Sequence, residues 1–316
     1  MLKPQLADNW LEDKQLLPAW QQPKYDGVRG LFLTDRFTGR SLKPFKNRVL
    51  TEFFSQPEFQ WLDGELILPD TDGIEGRQCS LVTGATNSPS SQMIPDIIVF
   101  DYLHPDLIGQ GAVYGDRYTV LMEKVYGLQD KFGPNKVRLM PYTPVETMKQ
   151  VLELDADFLE QGLEGSILRN HRAHYKPGRP STKTQELMRI KRFIDFEFTI
   201  DAIEEAMENT NEAKTNELGR TERSTAQAGM VPKGMVGKFK GRFHGDVIHN
   251  GKVLFKDGEP VTVGPGQSTH DERRLWWQQP DLVVGQIGKA KFFPHQLLSA
   301  ARMPIFLSLR AAEDMS

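Results

Sequence analysis

The chain has 316 residues, 39 Lys and Arg against 42 Asp and Glu, and a formal net charge of −3. That length suits two domains rather than one small one, and the balanced charge and ordinary apolar content exclude a disordered chain. The single cysteine, Cys79, excludes an internal disulfide framework or a cysteine-rich zinc site, and is expected to be buried and inert.

The first residues, MLKPQLADNWLEDKQ, lack the apolar stretch of a secretory signal, and no run approaches the roughly 20 apolar residues of a membrane span. The expected setting is intracellular, with no membrane partner. Next comes QPKYDGVRG, where Lys24 and Arg29 flank Asp26-Gly27 at the edge of a strand-like run. A β-turn with two solvated charges would explain the Asp-Gly pair but not the flanking cations. Four fixed residues at this spacing arise by chance at about 10⁻⁵ per position. A lysine amine can attack the α-phosphate of a nucleotide and form a phosphoramidate, provided neighbouring cations or a metal disfavour its ammonium form. The same charges would neutralise the phosphates.

Further strands are predicted at GVRGLFLT, LDGELIL, DIIVFDYL, GSILRN and EFTIDAI, and helices at 117–131 and 144–161, the second opening on Pro144. The elements interleave without a βαβ rhythm, so the expected class is α+β with antiparallel sheets. Glu65 in LDGEL and Glu164 in EGSILR are acids beside glycines. Phe100 in VFDYL could offer a ring face to a base, and Arg189 and Lys191 in LMRIK place two cations on one strand face. Each alone reads equally as surface or core; their order carries the weight. Residues 172–193 hold seven basic side chains and one acid, Glu186, a positive stretch in a chain that is acidic elsewhere. His171 and His174 have a metal-like spacing but lack a nearby third ligand, so phosphate contact or plain surface is expected for them.

Beyond residue 194 strands dominate: VGKFKGRFHG, GKVLFKDG, EPVTVG, VGQIGKAKFF and PIFLSLR suit a small barrel of OB type. Among them lies the polar segment 207–234, which reads on composition as a disordered surface loop.

Together these motifs resemble the ATP-dependent DNA ligases of the covalent nucleotidyltransferase superfamily, in their compact viral and phage type. KYDGVR is similar to motif I, DGE to III, VFDYL to IIIa, EGSILR to IV and LMRIK to V. GRSLKPFKN, YKPGRPSTK, DERRLWWQ and RMPIFLSLR, the last like the motif VI region, extend the likeness along nearly the whole chain. The resemblance implies an ATP-grasp-like, antiparallel-sheet nucleotidyltransferase domain at 1–193 and an OB-fold β-barrel domain at 196–316. It implies no additional N-terminal DNA-binding domain.

It also implies roles. Lys24 takes AMP covalently from ATP. Arg29 and Glu65 meet the ribose, with Glu65 shared with metal. Phe100 stacks on adenine, Glu164 holds Mg2+ or Mn2+, and Arg189 and Lys191 contact the α-phosphate. Arg302 and Arg310 orient the pyrophosphate, and Arg40 meets the 5′-phosphate of nicked double-stranded DNA. Residues 207–234 would form a DNA latch, ordered on DNA, with Lys214, Arg220, Arg223 and Lys233 on phosphates. The working form is a monomer. The family usually has lysine where this chain has Arg189, which keeps the charge but changes the geometry. An RNA ligase or mRNA capping guanylyltransferase shares the lysine and acids, and a non-catalytic OB-fold nucleic-acid binder is the alternative of another class.

Overall fold

The computed structural model describes residues 3–11, 14–33, 36–68, 78–181, 183–190, 192–249, 251–266, 268–294 and 300–310. They fall into two compact units, Met1–Lys191 and Arg192–Ser316.

The first unit contains strands β1 (Asp8–Asn9), β2 (Ala19–Pro23), β3 (Val28–Phe32), β4 (Phe37–Thr38), β5 (Leu62–Ile67), β6 (Asp96–Tyr102), β7 (Val137–Leu139), β8 (Thr143–Val145), β9 (Ser166–Arg169) and β10 (Leu187–Arg189). Its helices are α1 (Arg48–Phe54), α2 (Gln78–Asn87), α3 (Pro105–Gly109), α4 (Tyr114–Phe132) and α5 (Met148–Glu160). Two five-stranded sheets result, ordered β1-β10-β9-β2-β8 and β4-β3-β5-β6-β7. All pairings are antiparallel except β1 with β10 and β6 with β7. Helix α4 buries Tyr114, Arg117, Tyr118, Leu121, Val125 and Leu128, a stripe at three- and four-residue spacing. That face packs on a core with Phe32, Phe54, Phe59, Leu62 and Leu66.

Helix α5 begins later than its sequence suggests. Residues 143–145 pair with β2, Ala19 opposite Val145, so Pro144 belongs to a strand. The helix is opened instead by a capping box in which Thr147 and Gln150 satisfy each other's backbone N–H groups. Cys79, on α2, is half-buried rather than buried, with its sulfur 4.0 Å from the Thr83 hydroxyl.

A buried ionic cluster links the two sheets. Asp101 on β6 accepts from Arg117 Nε at 2.8 Å and Nη2 at 2.9 Å, and from Arg169 Nη1 on β9 at 3.3 Å. Arg169 Nε also donates to Gln22 of β2, whose amide donates to the Tyr114 hydroxyl at 3.0 Å. Asp101 and Arg117 are 1% exposed and Arg169 3%.

The second unit holds β11 (Ile194–Asn209), β12 (Ala213–Thr215), β13 (Thr221–Arg223), β14 (Met230–Phe243), β15 (Val247–His249), β16 (Lys252–Phe255), β17 (Pro260–Val263), α6 (His270–Gln278), β18 (Ile287–Phe293) and β19 (Arg302–Leu309). Five of these strands form one antiparallel sheet, β17-β14-β11-β18-β19. Its two edges meet at a parallel Gly264–Ile305 bridge rather than through a closing ladder. Inward positions alternate, as at Phe196, Phe198 and Ile200, giving a core that includes Phe239, Phe292 and Phe306.

Residues 207–234 are a built element in this structure, not a loop. The far half of β11 and near half of β14 pair from Ala202–Lys240 out to Asn209–Met230, and the β12–β13 hairpin caps this ribbon. Polar composition suits a two-stranded ribbon that is largely solvent-exposed, as well as it suits a loop.

Asp101→Ala should lower the stability of the chain by about 3–5 kcal/mol, because it strands two buried guanidinium groups. Asp201→Ala removes the exposed partner of Arg242 and should barely move the midpoint. Urea unfolding of both variants checks the contrast.

Candidate active site

A cavity of about 300 Å3 lies between the two sheets of the first unit. Lys24, Arg29, Arg40, Glu65, Phe100 and Arg189 all line it, although the first and last are 165 positions apart in sequence.

Lys24 follows β2 directly, and its backbone extends the pairing with the start of β9. Its N–H donates to Gly165 O at 2.9 Å, and its carbonyl accepts from Glu164 N at 2.9 Å. This two-bond clasp fixes Lys24 opposite Glu164, and the two side chains form an ion pair. The group in direct contact with the lysine amine is thus a carboxylate, while the cations Arg29 and Arg189 line the same cavity. Gly165 permits the approach: its φ of 127° lies in the region glycine favours, and a Cβ there would sit 3.1 Å from Ile190 O. Gly27 has a different reason, since a Cβ would overlap the Leu66 carbonyl oxygen of β5.

Arg29 and Glu65 are register partners on β3 and β5. Arg29 is held in a fork by Asp63, with Nε donating to Oδ1 at 2.8 Å and Nη2 to Oδ2. Its Nη1 donates to Gln5 O at 2.5 Å. Glu65 faces the cavity, yet the protein around it excludes enough water to push its carboxyl up to about 7. Burial is the main cause; Lys24 and Arg29 oppose it, and the charges of Glu164 and Asp63 add to it. Phe100 projects from β6 beside Met140 and Tyr25. The Arg29 and Arg169 guanidinium carbons lie 5.4 and 5.5 Å from its ring centroid. Arg189 ends β10, and its Nε donates to Asn9 Oδ1 at 2.9 Å.

The other predicted residues fall elsewhere. Lys191 lies outside the described residues. Arg302 and Arg310 are in the second unit: Arg302 opens β19 over the Phe293 ring, and Arg310 pairs with Glu197 at 2.8 Å. Lys214 is on β12, Arg223 on β13, Arg220 in the turn between them and Lys233 on β14. There Lys214 is 3.8 Å from Glu212 and Arg223 donates to Asn211 O. His171 stacks on Trp20 at 5.1 Å, and His174 Nδ1 meets Gly111 O at 2.7 Å. Among the described residues, no three His, Cys, Asp or Glu side chains gather to hold a metal, and no helix is long and apolar enough to cross a membrane. Sequence reasoning passed over Asp63, Asp101, Arg169 and Gln22, which hold the lining residues in place. Asp63 was visible in the Asp-Gly-Glu run, where only Glu65 was given a role.

Residues 7–191 match the model of the ATP dependent DNA ligase domain. A curated relative, the DNA ligase of African swine fever virus (strain Badajoz 1971 Vero-adapted), is 24% identical over 140 residues, 44% of this chain. The match spans 31% of that relative's length. Two solved structures share the fold over 98% of this chain and 99% of their own. One, Chlorella virus DNA ligase-adenylate, has a TM-score of 0.52 at 22% identity; the other, from the Lig E DNA ligases, has 0.66 at 18%.

The Glu65 carboxyl predicts a pH effect. Between the ordinary carboxylate range and about pH 7, folded Glu65 keeps a proton that the unfolded chain has released. Stability therefore falls as pH rises through that window. Glu65→Gln carries no such charge, and should stabilise the chain by about 1–3 kcal/mol at pH 8 and hardly at all at pH 4.5. Thermal unfolding at the two pH values measures this.

Proposed function

The chain belongs to the ATP-dependent DNA ligase domain family, and from that premise we propose that it seals nicks in duplex DNA through a lysyl-AMP intermediate. The observation that carries this reading is the placement of Lys24. One amine stands at the wall of a nucleotide-sized cavity, paired with Glu164, with arginines on the surrounding strands and an aromatic ring on the opposite sheet.

In the first step Lys24 Nζ attacks the α-phosphorus of ATP. An N–P bond forms, the bond to the bridging oxygen breaks, pyrophosphate leaves with its electron pair, and the amine gives up a proton. Arg29, locked by Asp63, is set at the ribose beside Glu65, and Phe100 supplies a stacking face for adenine. Arg189, with Lys191, receives the α-phosphate charge. AMP then passes to the 5′-phosphate of the nick, which Arg40 meets, and the 3′-hydroxyl displaces AMP to close the strand. Arg302 and Arg310 belong to the pyrophosphate-releasing step.

Carboxylate oxygens suit a hard divalent cation, and two of them without a complete protein cage suit one that is also held by substrate phosphates. Glu164 and Glu65 would hold Mg2+ or Mn2+, which supplies charge neutralisation. The ribbon of 207–234 is the proposed arm on the duplex, with Lys214, Arg220, Arg223 and Lys233 toward phosphates. It carries four acids as well (Glu208, Glu212, Glu217, Glu222), so its contact depends on which face meets DNA. The proposed working form is a monomer inside a cell.

Incubation with α-labelled ATP or GTP, followed by nicked DNA, separates the readings. Label from ATP that is lost as the nick closes supports a DNA ligase. Label from GTP alone would support a capping enzyme. No label, after pyrophosphate has stripped any pre-bound AMP, would leave a nucleic-acid binder. Lys24→Ala should take no label yet bind nicked DNA within about twofold of the native affinity, because one phosphate contact at most is lost. Excising 211–228, the hairpin tip, should weaken nick binding and flatten its dependence on salt by up to about three in log–log slope. Lys24 should still take AMP in that variant. An unchanged slope would make the ribbon a passive element.

A further inference from the structure

The segment 3–10 precedes every motif described above, and the family match begins only at residue 7. It is fastened along its length. Leu6 N donates to Gly178 O at 2.7 Å, and Gly178 N to Pro4 O at 3.0 Å. The Tyr175 hydroxyl donates to Lys3 O at 2.8 Å and accepts from Gln5 N at 2.9 Å. Asp8 and Asn9 then run parallel to Met188 and Arg189, and Trp10 N donates to Arg189 O at 2.9 Å.

Two links reach arginines of the cavity. The Gln5 carbonyl accepts from Arg29 Nη1, and Asn9 Oδ1 accepts from Arg189 Nε. Leu6 and Ala7 form part of the cavity wall themselves. We infer that segment 3–10 is a positioning strap of the nucleotide cavity, in which Asn9 sets the direction of the Arg189 guanidinium. The inference rests on the nucleotidyl-transfer reading.

The chemistry is specific to arginine. A guanidinium held at Nε keeps both terminal nitrogens for an anion, and fixing the plane at one point removes much of the side chain's rotamer freedom. A lysine has no donor partway along its side chain, so Asn9 would have nothing to hold there. Arg189 stands where the resembled family usually has lysine, which makes Asn9 and Arg189 a matched pair in this chain. Gln5 is a second anchor of the same strap, since it is 3% exposed and offers its backbone to Arg29. Asn9 is exposed, so replacing it need not disturb the core.

Single-turnover transfer of AMP to the protein tests the pair. At saturating ATP, Asn9→Ala should slow the maximal rate roughly 10- to 100-fold, the upper end being the loss that a misplacement of about 1 Å brings, with the thermal midpoint unchanged. Asn9→Asp keeps an acceptor and should recover most of the rate. On an Arg189→Lys background, Asn9→Ala should add nothing. An unaltered rate in Asn9→Ala, an equal loss on both backgrounds, or a loss that tracks a falling thermal midpoint overturns the strap while labelled native protein leaves the nucleotidyl-transfer reading standing. Native protein that takes no label overturns both.

Discussion

The Arg117–Asp101–Arg169 cluster is the constraint on which the first unit depends. Its three charges come from α4, β6 and β9, so they tie the two sheets that enclose the cavity. Burying them is expensive, and the cost is offset because two guanidinium groups share the carboxylate, with Arg169 Nε donating to Gln22 and Arg117 Nη1 to Ala112 O. The cluster also fixes its neighbours. Tyr114 donates to the Phe100 carbonyl at 2.8 Å, and Arg169 lies 4.1 Å over the Tyr114 ring. Phe100 and Arg169 therefore face the cavity from strands that cannot slide past each other.

The cavity has its own electrostatic logic. Lys24 and Glu164 are joined by backbone as well as by charge, because the strand pairing that aligns them is the one that brings β2 to β9. On the facing sheet Asp63 takes the Nε donor and one Nη2 donor of Arg29, and Gln5 O takes one from Nη1. Burial raises both acids of this strand: at Asp63 the charge and hydrogen bonds of Arg29 oppose it, and at Glu65, where the charges of Lys24 and Arg29 oppose it, the carboxyl is pushed up to about 7.

Much of this was legible in the sequence because period-two patterning exposes strands directly. GVRGLFLT, LDGELIL and DIIVFDYL all lie on strands, while the expectation that Lys24, Glu65 and Phe100 share one site came from the family resemblance of their motifs. The helix at 144–161 was misplaced because Pro144 resembles a first-turn residue. The competing Thr147–Gln150 box was equally visible and a stronger stop for the preceding strand. Residues 207–234 failed for a different reason: a ribbon with no buried face has no apolar alternation to read. The ionic cluster was invisible because Asp101, Arg117 and Arg169 carry no local sign of burial. Only the fold brings charges 16 and 68 positions apart into contact. The strap was missed because its links to Arg29 and Arg189 use a backbone carbonyl and one short side chain, neither of which leaves a pattern.

The central claim is that Lys24 itself carries the nucleotide. Peptide mass mapping of the native protein, incubated with ATP and magnesium and then digested under conditions that preserve phosphoramidates, tests it most directly. The account predicts the added mass of one AMP on the peptide that contains Lys24, removed by pyrophosphate. AMP on a peptide from any other part of the chain, with the Lys24 peptide unmodified, would contradict it.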